Sequence, residues 1–170
     1  MRRPRYFLNS ILGVVIAAGA CSNERPAPTE PGLSPDLVGL PSVTILNCTP
    51  LPVATSSAVV GRDGGTITVG PHSLVIPAKA LNQDVLITAS IAGDSANAIR
   101  FGPEGLQFKK PATLTMSFDN CGQWGQLRQL EIVYTDDQLK PKEIISSVSD
   151  NRTKSIMGAI THFSQYAVAY

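Results

Sequence analysis

The sequence holds three cysteines and two histidines, and their neighbours decide what each can do. Cys21 follows the small residues Ala18-Gly19-Ala20 at the end of an apolar run, where a thiol is open to modification rather than buried in a core. With Cys21 set aside, Cys48 and Cys121 are an even pair. In an oxidising compartment a disulfide between them would staple the start of the domain to the end of the run that begins at Pro111, closing a loop worth about 4 kcal/mol on chain-entropy grounds. The other reading is two separate buried thiols. Two cysteines without histidines at ligand spacing do not make a zinc site, so no metal and no cofactor are expected. Asp119-Asn120, Asp136-Asp137 and Asp150-Asn151 offer oxygens to Ca²⁺, but two-residue acidic turns are ordinarily just solvated turns. His72, beside Pro71 in a turn, reads as a surface residue. No Ser, His and acid arrangement identifies an enzyme acting on other molecules, and no catalytic residue is assigned.

The N-terminus says where such a protein works. Met1-Arg2-Arg3-Pro4-Arg5 is a basic start, and the apolar part from Ile11 to Cys21 falls short of the roughly 20 residues that a membrane-spanning helix needs. Residues 1–20 are read as an export signal. Its end resembles the lipobox of bacterial lipoproteins, with Ala18 where that family usually has Leu, and the resemblance implies lipidation of Cys21. Plain cleavage at the same small residues, releasing a secreted protein, is the alternative. Ser22 after the cysteine implies sorting to an outer membrane, in the periplasm or facing outward. Residues 21–44, with five prolines between Ser22 and Ser42, cannot bury a core and are read as a tether.

The 14 Lys and Arg balance 13 Asp and Glu, and three of the arginines (Arg2, Arg3 and Arg5) leave with the signal, so the mature chain carries 11 minus 13, or −2. No basic patch remains, and nucleic acid is excluded as a partner. The expected partners are the membrane, through the lipid, and an envelope protein or surface polymer.

From residue 45 to 170 short alternating runs are separated by turn residues. In Pro111 to Phe118 apolar residues occupy every even position, the mark of a half-buried strand. Val85 to Ile91 and Leu130 to Thr135 alternate in the same way, with Leu130, Ile132 and Tyr134 inward. Weaker runs lie at Thr66–Val69, Ser73–Ile76, Ile144–Val148, Ser155–Thr161 and Gln165–Tyr170. Strands this short, at this spacing, predict an all-β antiparallel sandwich.

Gly64-Gly65, Leu74-Val75-Ile76-Pro77-Ala78-Lys79-Ala80-Leu81 and Phe101-Gly102-Pro103-Glu104-Gly105-Leu106-Gln107-Phe108-Lys109-Lys110-Pro111 together resemble the ZU-five domain of zona occludens protein, the Uncoordinated-five netrin receptors and ankyrins. The likeness spans Val59 to Tyr170, with Lys79 where the family has Gly. It implies a β-sandwich interaction module rather than turnover of a substrate. In some relatives a triplet matching His162-Phe163-Ser164 is a self-cleavage site. There Ser164 would attack the Phe163 carbonyl while His162 accepts its proton, leaving an ester for water to open. The bland reading packs Phe163 in the core. Strand parity sharpens the choice, because it sets His162, Ser164 and Tyr166 on one face and Phe163 among polar neighbours on the other. A bulge near Phe163 would turn the ring inward. The function expected is therefore a membrane-anchored interaction or structural module. Its rivals are the self-cleaving domain and a carbohydrate-binding module, although Trp124 alone makes a poor sugar platform.

Overall fold

The computed structural model describes residues 42–122 and 129–170. Eleven strands form two antiparallel sheets packed face to face, the all-β sandwich that the alternation predicts. The segment read as a signal, Cys21, Trp124 and nearly all of the stretch read as a tether lie outside the described residues.

One sheet has six strands in the order β1 (Ala54–Val60), β4 (Val85–Ile91), β5 (Ala98–Gly102), β11 (Gln165–Ala169), β7 (Glu131–Thr135) and β8 (Pro141–Ile145). The other has five, in the order β2 (Gly65–Val69), β3 (His72–Ile76), β6 (Gln107–Ser117), β10 (Ser155–His162) and β9 (Ser147–Asp150). Ala112, Leu114 and Met116 of β6 point into the sandwich and meet Ile87, Ala89 and Ile91 of β4 in one core cluster. Thr113, between them, is exposed. Period-two alternation thus becomes a sheet with one wet face.

The expected alternation fails on β7 and β11. Val133 and Thr135 are as buried as Ile132, and Tyr166 to Ala169 are all buried. The reason is a second, smaller apolar layer on the outer face, in which Val43, Ile45, Leu139 and Ile144 cover Ala98, Val133, Ala167 and Ala169. Thr44 exchanges backbone hydrogen bonds with Tyr170 at 2.9 and 3.0 Å, so the paired backbone reaches residue 44, inside the stretch read as a tether.

The run Ile144–Val148 is likewise not one strand. Ser147 Oγ donates to the Ile145 carbonyl at 2.6 Å and accepts the Ile132 N–H at 2.9 Å, and here the chain leaves β8 in one sheet for β9 in the other. Strands β1 and β5 have no counterpart among the expected runs. Ala54-Thr55-Ser56-Ser57-Ala58 has too little contrast between its faces to show a period, and Ala98 and Ile99 are both buried.

Candidate functional site

The chain crosses between the sheets again at the triplet, passing from β10 to β11 through Phe163 and Ser164. The pairing of β10 with β6 shifts register between Ile160 and His162. That irregularity reverses the parity, and Phe163 becomes fully buried. Its ring stacks on Phe101 at 5.3 Å and meets Phe108 edge-on at 4.9 Å. Its N–H donates to Leu106 and its carbonyl accepts from Gly105, both at 2.9 Å, so the turn Gly102–Gly105 lies against the triplet.

The other two residues are also engaged. The Ser164 carbonyl accepts the Phe101 N–H at 3.0 Å, and the Ser164 side chain is buried. The His162 carbonyl accepts from the Tyr166 hydroxyl at 2.7 Å, and burial raises the pKa of that phenol. The His162 ring packs edge-on against Tyr134 at 5.1 Å, with Nδ1 3.4 Å from the Tyr166 hydroxyl. The triplet is thus brought together with its base facing two tyrosines. Among the described residues no hydrogen bond joins His162 to Ser164. The backbone from 162 to 164 also stays out of the left-handed region, which Lys79, Leu139 and Lys154 enter.

Beside Ser164 opens a cleft of about 370 Å³, lined by Glu104, Tyr134, Thr135, Asp136, Asp137, Gln138 and Ser164. A second cleft, of about 320 Å³, runs over the outer face of the six-stranded sheet between Thr55, Ser90, Arg100 and Gln165. Asp137 lines both. Arg100 Nη2 reaches Asp137 Oδ1 at 2.6 Å and also donates to Gln165 Oε1. Asp136 shapes the β7–β8 turn by accepting the Lys140 and Gln138 N–H groups at 2.9 and 3.0 Å. The Lys140 bond is the main reason its carboxyl titrates below the usual range. Thr135 Oγ1, at the wall of the first cleft, is buried without a hydrogen-bond partner among the described residues.

The three acidic turns prove to be turn and ion-pair residues. Asp119 pairs with Lys154, Asp136 with Lys142, and Asp150 accepts the Arg152 N–H. Among the described residues no group of three or more His, Cys, Asp or Glu could hold a metal ion.

At the far end of β6 the sulfurs of Cys48 and Cys121 are joined, and Cys121 sits in a 3₁₀ turn, Asp119–Cys121. The Cys48 segment is laid along this turn by bonds from Thr49 N–H to the Asn120 carbonyl and from Asn120 Nδ2 to the Thr49 carbonyl. His72 lies here too, and it is not a surface residue: it is completely buried. Gly70 and Pro71 complete the turn, so His72 is the first residue of β3 and shares the inward face with Leu74 and Ile76. Its Nδ1 accepts the Ser117 N–H at 3.1 Å. Its Nε2 and Asn97 Oδ1 lack partners of good geometry, while Asn97 Nδ2 donates to the Ser117 carbonyl. Burial depresses the imidazole to about 4, and the nearby Asn97 side chain offsets only part of this.

Sequence reasoning missed Arg100 and the depth of His72. Arg100 falls between buried Ile99 and Phe101, and that alternation was its only signal. No family model and no curated protein matches the chain.

Proposed function

We propose that this chain is a lipid-anchored module of the cell envelope that binds a partner, an envelope protein or a surface polymer, through the loops around the β7–β8 turn. The observation that supports it is the meeting of two polar clefts at Asp137, beside a hydrogen-bonded arginine on the outer sheet face. Donors and acceptors there are held by a rigid frame, which lowers the ordering cost of binding. The ZU-five-like motifs point the same way. Lys79, at the position that family fills with glycine, has φ 66°, the left-handed geometry in which glycine is favoured.

Hydrogen exchange with and without envelope extract tests the site. We expect slower exchange at residues 136–139 and 92–94, and no protection there would end the proposal. The anchor is tested separately, because Cys21→Ala should abolish labelling by a palmitate analogue and release the protein from membranes. Wild-type protein that is unlabelled and soluble would remove the anchor from the reading.

A further inference from the structure

Each sheet has two edges, and they are unequally guarded. Strand β8 carries Pro141, Lys142 and Glu143 and a register shift against β7. Strand β9 has four residues and ends on Asp150, and β2 has five. Strand β1 has seven residues, none charged and none proline, in unbroken register with β4. Its outer side makes no hydrogen bond to any described residue. Natural sheets blunt such edges with lysine, proline, bulges or brevity, because an open ladder invites another strand. Strand β1 uses none of these.

The side chains say which strand fits. Val53, Thr55, Ser57 and Val59 share the exposed outer face, and Val53 and Val59 are 75% and 67% exposed. Leu86, paired with Val59 across β4, is 61% exposed. These are three of the six exposed large apolar side chains among the described residues. The two valines stand three residues either side of Ser56. An antiparallel copy of the same strand, centred on Ser56, therefore sets Val53 of one chain opposite Val59 of the other, twice, with Leu86 flanking each pair. Ala54 then faces Ala58 and Thr55 faces Ser57, with no charge to oppose its own image. A two-fold contact of this kind is self-complementary by symmetry.

We propose that the occupant of the β1 edge is the β1 strand of a second copy, joining two six-stranded sheets into one across a two-fold axis at Ser56. This does not depend on the lipid anchor; it shares Val53 and Thr55 with the second cleft, but its readout, self-association of the purified chain, is separate from protection by envelope extract. The full chain in detergent should show a concentration-dependent dimer by light scattering or sedimentation. Val53→Lys and Val59→Lys, at exposed positions that leave the core intact, should each weaken it by about tenfold. The double variant Val53→Lys/Val59→Glu should restore it, because the register brings the opposite charges together. Ser56→Cys should oxidise to a covalent dimer, since directly opposed residues lie within disulfide reach, whereas Ser57→Cys should not. A chain that stays monomeric at high concentration, or a dimer indifferent to both lysine variants, overturns the proposal.

Discussion

Strand β6 runs between two ends of the sandwich that are held by opposite chemistry. At its Gln107 end, where the chain crosses between sheets, Phe101, Phe108, Phe163 and Tyr166 make an aromatic plug. At its Ser117 end a disulfide, a buried imidazole and an amide do the holding. Ring burial depends little on pH or redox state, whereas a disulfide and a neutral histidine depend on both. One strand therefore joins an end that responds to temperature and solvent with an end that responds to the compartment.

The largest effect belongs to the aromatic end. Phe163→Ala empties a fully buried site between two rings and should cost about 4–5 kcal/mol, measured by denaturant unfolding at neutral pH. A loss below about 2 kcal/mol would mean that the crossing collapses around the gap and does not stand on that ring. Next comes the polar end. Replacing Cys48 and Cys121 by alanine opens a loop of 73 residues' separation and should cost about 4 kcal/mol, with reduction of the wild type giving the same loss. If reductant leaves the unfolding midpoint unmoved, the staple contributes nothing.

The third effect is pH-dependent and separates the two ends. His72 titrates near 4 in the folded chain against an ordinary 6.5, so the unfolded chain binds the extra proton first. Stability should be complete above about pH 6.5, fall as pH drops from there to about 4, and level off below, losing about 3 kcal/mol in all. His72→Phe should flatten that slope, at the expense of an unpaired Ser117 N–H and about 1–3 kcal/mol at neutral pH. Phe163→Ala should keep the slope of the wild type. Equal slopes in wild type and His72→Phe would place the acid sensitivity elsewhere.

The two ends were also unequally legible in the sequence. The aromatic end announced itself because parity set a phenylalanine among polar neighbours, a conflict that only a bulge relieves, and the register shift at Ile160–His162 is that relief. The polar end hid. Gly70-Pro71 marks a turn, but a turn says nothing of which way the next side chain points, and His72 faces inward because β3 begins on it. Its amide neighbour, Asn97, lies 25 positions away and meets it only through the packing of one sheet on the other. The outer layer over Val133 and Ala167 was invisible for the same reason: a strand buried on both faces loses the alternation that reveals it.

The smallest effect expected is none at all, at the triplet itself. Cleavage between Phe163 and Ser164 needs the Ser164 oxygen to reach the Phe163 carbonyl carbon, a base to take its proton and a peptide distorted toward attack. A further aid is in place, since the Gly105 N–H already polarises that carbonyl from 2.9 Å. The base and the distortion are not. The imidazole of His162 faces Tyr134 and Tyr166, and Phe163 is hydrogen-bonded through both its own N–H and its carbonyl, so the residue whose ring fills the core is also fixed along its backbone. Purified protein, incubated for days and denatured, should therefore give a single intact mass in which Phe163 and Ser164 are still joined. A fragment starting at Ser164 that appears on denaturation and vanishes in Ser164→Ala would show that the crossing visits a strained conformer. In that case Tyr134→Phe and Tyr166→Phe, which loosen the hold on His162, should speed the cut.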